Sequence, residues 1–453
     1  MKIKPPKPML DSFTNPSKWL REFLRLSALA AAFSPFCFAL AASTNLTWKA
    51  DFTLKETYDD NVYLQNHAPP STMPDAVPAK KDSWVTTVTP HVGLDYKFCT
   101  GFKTSLSYAP DVAVYHNAPS EDNTMHRGLA TFSGTADDVV WEQPNTFTYI
   151  DGSRYGPIFG RVNSGSSQDV PAIGGIPLRD RRDAFIYRGG FKLTWTLDRF
   201  FIRPVASAYV HDFKTVQEPS TTPTGAYYEN YVSRQEVNGG LDLGYNVGNK
   251  TFLVLGYRYG RQDQGKLLGV NSSYDSSYNR ILFGVEGSPA SWIKLAVLGG
   301  PDIRDWRSAT PSGFDRNRID YWVDASATLM PDKNDAVTLL FRRYTQPAFS
   351  SQSIYDDMTY SATWKHAFNA HFSASAGMQL YIGDWQVPVN RNDWIYTPSV
   401  GLTYTCNKHF SVEAAASGDW VENKTSTAAP GAMYAEGREF TRHLVSLAAK
   451  YTF

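Results

Sequence analysis

The residues of this chain that could do chemistry are charged side chains recurring at every second position. Between Tyr231 and Val247, Arg234, Glu236 and Asp242 alternate with Val237, Leu241, Leu243 and Tyr245. Between Asp315 and Met330, Arg316, Arg318, Asp320 and Asp324 alternate with Ile319, Tyr321, Val323 and Ala325. Arg203, Arg258, Arg280 and Arg342 fall in the same phase of their own segments. Fixed charges of both signs along one face of an extended segment suit ion pairing and the steering of charged solutes through water. The spacings of acid–base, nucleophilic or metal chemistry are missing: there is no G-x-S-x-G, H-E-x-x-H, P-loop or paired C-x-x-C. His443 is the one tempting hydrolase residue, and no partner stands at a recognisable spacing. Neither catalysis nor a cofactor or metal is expected.

A second charged group lies in Tyr155 to Asp183, where Arg161, Arg179, Arg181 and Arg182 face Asp169, Asp180 and Asp183 among Gly and Pro. Such a segment can be a solvated outer loop, or a compact loop folded inward as a constriction. Folded inward, its slight basic excess would add to the arginines above and favour anions, against inward acids such as Asp95, Glu286, Glu413 and Asp419.

Short strands position these charges. From Leu46–Tyr58 to Phe440–Phe453 the chain reads as about 18 alternating segments, an even number. Tight turns at Cys99-Thr100-Gly101, Glu142-Gln143-Pro144, Asp198-Arg199, Gly248-Asn249-Lys250, Ser288-Pro289-Ala290, Pro331 to Asn334, Asn369-Ala370 and Asn407 to His409 each join an even strand to the next odd one. The other connections are longer, polar and rich in Pro, Gly and Ser. Two loop classes kept strictly in phase predict a closed all-β antiparallel transmembrane barrel, with short turns at the periplasmic end and long loops outside. Arg or Lys facing lipid near the midplane would cost about 2–4 kcal/mol each, so the charged face must look inward. A soluble barrel would show the same alternation turned inside out. Aromatics beside the turns, such as Tyr96, Phe98 and Phe102, or Phe372 and Tyr404, read as interfacial girdles.

Composition agrees. The 453 residues are 14% aromatic and 19% charged, with 44 basic against 44 acidic side chains, so no basic stripe for nucleic acid is expected. Lys18, Arg21 and Arg25, then an apolar stretch to Ala41 ending in Ala39-Leu40-Ala41, predict a signal peptide over 1–41 and a barrel over 42–453. Cys99 and Cys406, both beside turns, should stay unpaired: four strand steps of about 4.8 Å separate them, beyond the roughly 7 Å a bridge allows.

The last strand, FTRHLVSLAAKYTF, alternates to its final Phe and resembles the assembly signal of bacterial outer-membrane barrels. The run ETYDDNVYLQ, Glu56 to Gln65, resembles the D-N-V-aromatic segment of outer-membrane β-barrel porin families, some of which accompany exopolysaccharide and protein-sorting gene clusters. The resemblance implies the outer membrane of a Gram-negative-type bacterium, with lipids, lipopolysaccharide and the barrel-assembly machinery as partners and homotrimers common among its members. Two functions are carried forward, a diffusion channel for small hydrophilic solutes and an accessory barrel of exopolysaccharide assembly or export. Asp59, Asp60 and Asn61 in the motif could turn the chain or hold a divalent cation.

Overall fold

In the computed structural model, residues 45–453 are described apart from 65, 67–80, 100, 152–182, 215, 218–230, 308–309, 350–352, 388–389 and 424–438. The expected signal peptide lies outside them. Eighteen strands follow one another: Asn45–Asp59 (β1), Ser83–Cys99 (β2), Phe102–Tyr115 (β3), Asn123–Ala136 (β4), Val139–Asp151 (β5), Ala184–Leu197 (β6), Phe200–Phe213 (β7), Arg234–Gly248 (β8) and Thr251–Gln264 (β9). They continue as Ser276–Ala290 (β10), Ile293–Trp306 (β11), Ile319–Leu329 (β12), Asp335–Pro347 (β13), Ile354–Ala367 (β14), Phe372–Trp385 (β15), Arg391–Thr405 (β16), Phe410–Asn423 (β17) and Phe440–Thr452 (β18). Each pairs antiparallel with the next, and β1 pairs with β18 from Asp51 opposite Thr452 to Asp59 opposite Leu444, so the sheet closes without an edge.

The tight turns carry the backbone that two-residue hairpins demand. Asp137, Asp198, Asn249 and Lys250 all have positive φ, which Asn and Asp tolerate best among residues with a side chain. Two turns differ from the expected positions. The β4–β5 turn is Asp137-Asp138, and Pro144 lies inside β5 opposite Thr131. Proline removes a backbone donor there, and the β5–β6 ladder is interrupted between Glu142 opposite Lys192 and Asn145 opposite Gly189, while pairing with β4 continues and the Asn145 side-chain amide adds a bond to the Ala130 carbonyl at 3.1 Å. At the other, β10 runs to Ala290 through a register shift after Gly287, and the chain reverses at Ser291-Trp292.

The faces are those of a barrel in lipid. Outward positions expose Leu241, Leu243, Tyr257, Tyr259, Phe283, Val400, Val445 and Leu447, while Asp242, Arg280, Asp302 and Arg304 are buried inside. Near the turn end Phe98 stacks on Phe102 and Phe102 on Trp141, and Phe372 meets Tyr404 at 4.6 Å, as girdles require. Outward charges gather at the loop end, where Arg343 pairs with Asp356 at 3.0 Å and His443 with Asp60 at 2.8 Å. Headgroup depth tolerates such pairs far better than the hydrocarbon midplane does.

The apolar core is not at the barrel's middle but at the loop end of its inner face. Ile150, Ile186, Tyr231 and Phe349 form one cluster, Leu64, Tyr381, Ile395, Val421 and Phe440 a second, and Val62, Tyr63, Val85, Tyr115 and Ala118 a third. Leu64, Val62 and Tyr63 come from the connection after β1, which turns back into the barrel. The Asp59-Asp60-Asn61 motif organises that turn against the last strand. Asp59 is buried and ion-paired to Arg442, Asp60 accepts from the His443 backbone N–H at 2.7 Å, and Asn61 donates to the Thr441 carbonyl at 2.7 Å. Of the two roles open in the sequence, the motif therefore shapes the chain, by fastening the closing seam.

Candidate functional site: the charged lumen

Period-two geometry delivers one side chain in two to the interior, and adjacent strands set those side chains about 4.8 Å apart, within reach of an arginine. On β7 to β10 this produces a four-residue network. Arg203 donates its Nε to Asp242 at 3.0 Å and both terminal nitrogens to Glu286 at 2.7 and 2.8 Å, a bidentate fork. Arg258 donates to the other Asp242 oxygen at 2.6 Å. Phe201 lies beneath the Arg203 guanidinium at 4.5 Å, where a Cβ on Gly244 would come within 2.0 Å of the ring. Only glycine lets that ring lie flat against the wall.

A second network joins β8 to β12. Asp302 accepts Arg280 Nε at 2.9 Å and Arg304 Nε at 3.1 Å, and Arg304 also donates to Gln262 at 3.2 Å. The Tyr278 hydroxyl donates to Glu236 at 2.6 Å, and its ring carries Arg280 at 3.9 Å and Arg304 at 4.9 Å. Asp302 stands directly opposite Asp320 in the ladder, a like-charge pairing that Arg280, Arg304 and Arg318 offset. Arg342 and Asp324 form a looser, half-exposed pair at 3.5 Å.

At the loop end a third group bridges the bore. The chain after β13 folds inward, so that Val232 donates to the Phe349 carbonyl at 2.7 Å, Arg234 to the Pro347 carbonyl at 3.0 Å and Gln264 to the Ala348 carbonyl at 2.7 Å. Phe349 packs 4.7 Å from His211 and 5.2 Å from Phe213, with the Arg234 guanidinium 4.5 Å above it. Towards the turn end the inner face is wetter: Lys49 and Lys103, which pair with Asp95, are 68% and 43% exposed.

Of the residues singled out in the sequence, Arg203, Asp242 and Arg258 come together, Glu236 meets Tyr278, Arg280 joins Asp302, and Arg318 and Arg342 pair with Asp320 and Asp324. Arg316 precedes β12 in the same register, its carbonyl accepting from the Trp306 N–H at 3.1 Å. β12 begins at Ile319, and Arg316 is exposed before it, donating to the Trp306 and Arg307 carbonyls. Arg161, Arg179, Arg181 and Arg182 lie outside the described residues. Asp302, Arg304 and Arg188 were not singled out although they share the phase; in β11 the run Gly299-Gly300-Pro301 interrupts the alternation that would have revealed the first two. Cys406 is a free thiol.

A closed antiparallel sheet of 18 strands, greasy outside and lined with ion pairs inside, is a transmembrane β-barrel of the bacterial outer membrane, porin-like in build. A family described as "Putative MetA-pathway of phenol degradation" matches residues 321–453. No curated protein matches the chain. Among solved structures it is similar to the outer membrane protein OpdK of Pseudomonas aeruginosa, with 10% identity and a TM-score of 0.43 over 90% of this chain and 99% of that one. OccK2 (OpdF) of the same organism gives 8% identity and 0.43 over 90% and 98%, and its siderophore receptor PirA 8% and 0.39 over 90% and 80%. Likeness at this level carries nothing about solute, and the class rests on this chain's own faces.

Proposed function

We propose that the protein is a passive, non-enzymatic channel admitting small hydrophilic solutes across the outer membrane, narrowed at its outer end and weakly anion-preferring. The observation that carries this reading is the polar inner face, its lysines exposed towards the short turns and its outer end crossed by the Pro347-Ala348-Phe349 segment. Barrels of this width hold more space than side chains alone fill. The arginine excess expected to draw anions is largely matched by carboxylates, as the Arg203–Asp242–Arg258 and Arg280–Asp302–Arg304 groups show. What supports a residual bias is the pair Arg188 and Arg234, which contact Tyr209 and Phe349 rings and no carboxylate within ion-pair distance among the described residues.

The test is single-channel conductance of the refolded protein in a planar bilayer, with the reversal potential under a salt gradient. Small, stable steps with a reversal potential of anionic sign are expected. Cationic sign would remove the anion bias and leave the channel. Silence from a folded, heat-modifiable barrel would overturn the channel reading and leave a closed accessory barrel of envelope polysaccharide assembly.

A further inference from the structure

One recess in the lumen wall is built differently from the ion-pair networks around it. It lies between β7 and β12, has a volume of about 200 Å³, and is walled by Ser207, Asn238, Arg258, Arg280, Leu282 and Trp322 with no carboxylate among its lining residues. The neighbouring acids are engaged by arginines. Asp242 gives one oxygen to Arg203 and the other to Arg258, Glu286 gives both to Arg203, and Asp302 holds Arg280 only through Nε. Arg280 is 6% exposed, and its two terminal nitrogens make no hydrogen bond to any described residue. Its plane is held by the Tyr278 ring at 3.9 Å and the Trp322 ring at 5.5 Å, so those donors are fixed in direction before any ligand arrives. Asn238 donates to Ser207 at 2.6 Å, which leaves its amide oxygen and the Ser207 hydroxyl hydrogen for a guest.

Two guanidinium groups with spare donors select an anionic head, and their planar forks match a carboxylate. Leu282 and the Trp322 face select an apolar body beside it. A cavity of about 150 Å³ accepts a benzene ring, so 200 Å³ accommodates a six-membered ring and a carboxylate together. We propose that this recess is a binding subsite for a small organic monoanion, a carboxylate carried on a compact apolar or aromatic body. The inference rests on the channel reading for its purpose, since a wall subsite would concentrate such solutes in the bore, but its chemistry can be tested separately.

Benzoate is the probe, and calorimetric titration of the purified full-length barrel in detergent is the measurement, with benzamide and chloride as the uncharged and the bodiless comparisons. Saturable benzoate binding at one site per barrel is expected, with benzamide weaker by at least about tenfold. The informative variant is Asn238→Asp, which keeps the shape, replaces the bond donated to Ser207 with one accepted from its hydroxyl, and places a negative charge in the recess. It should weaken benzoate by at least about tenfold while leaving thermal stability near that of the parent. Arg280→Gln should weaken it as well, and if that variant fails to fold, Asn238→Asp decides. Equal benzoate affinity in parent and Asn238→Asp overturns the proposal, as does benzamide binding as tightly as benzoate. Ion conductance with no saturable benzoate binding would overturn the subsite and leave the channel. Benzoate binding in a barrel that never conducts would uphold the subsite and overturn the channel.

Discussion

Arg203 is the side chain on which the most other charges depend. Its fork satisfies both Glu286 oxygens and one of Asp242, and Asp242 is 1% exposed, so removing the guanidinium leaves a buried carboxylate with Arg258 alone. Breaking a buried pair by deleting one partner costs about 3–5 kcal/mol, because the surviving charge has lost its solvent as well as its partner. Arg203→Ala should therefore lower unfolding stability by about 3 kcal/mol in denaturant titration of the liposome-embedded barrel. Arg342→Ala, removing a pair at 3.5 Å whose side chains are 43% and 47% exposed, should cost no more than about 1 kcal/mol. Equal losses from the two would mean that the interior is uniformly wet. The alternation exposed this ranking only in part. Arg203, Asp242 and Arg258 were legible because their strands alternate cleanly, whereas Asp302 and Arg304 were hidden by Gly299-Gly300-Pro301. Arg316 precedes β12, yet its carbonyl still accepts from the Trp306 N–H at 3.1 Å in the register of the β11–β12 ladder, which is why the period-two pattern reaches back to it.

Among the elements, the closing pair of strands is fastened by side chains as well as by its ladder. Strand pairing alone is generic hydrogen bonding, but β1 meets β18 with Asp59 on Arg442, Asp60 on His443 and Asn61 on the Thr441 carbonyl. The pairs sit at the loop end of the seam, where β18 begins and β1 ends. Such a set fixes register, since a slip of one residue would send Asp59 to the outer face. A double-mutant cycle on Asp59→Ala and Arg442→Ala should show coupling of about 1–3 kcal/mol, read as the change in the temperature of heat modification on gels converted through a denaturant series. Coupling near zero would mean that the motif only turns the chain. The Asp60–His443 pair, with His443 51% exposed, should couple by about 1 kcal/mol or less. The sequence shows the motif and offers turn or cation, and the way it shapes the chain depends on a residue 383 positions away, a distance that local pattern does not report. Pro144 illustrates the opposite difficulty. Proline beside Gln and Asn reads as a turn by every local rule, and β5 keeps it because its pairing with β4 runs unbroken past Thr131 while only the ladder to β6 is interrupted.

For the whole molecule, the strand count, the closure and the phase of long and short connections were legible because lipid outside and water inside impose period two on every strand. The filled outer end was not, since it is made by loop residues such as Leu64 and Phe349 whose partners lie on strands distant in sequence. That filling is what separates a wide general pore from a narrow one. Phe349 is 3% exposed, and its carbonyl and ring tie the inward-folded chain to Val232, His211, Phe213 and Arg234. Phe349→Ala deletes the ring but retains the backbone bond to Val232, so the segment should loosen without leaving the barrel. Truncating a buried Phe costs about 3–5 kcal/mol, less where neighbours relax into the space. If this segment sets the narrowest section, single-channel conductance should rise by about twofold while the sign of the reversal potential persists, because Arg188 and Arg234 remain. An unchanged conductance in a correctly folded variant would place the narrowest section elsewhere, with the connection over residues 152–182 the next to test. A rise together with a lost anion preference would show instead that Phe349 holds Arg234 in its place, making the ring a positioning group for the charge and not itself the barrier.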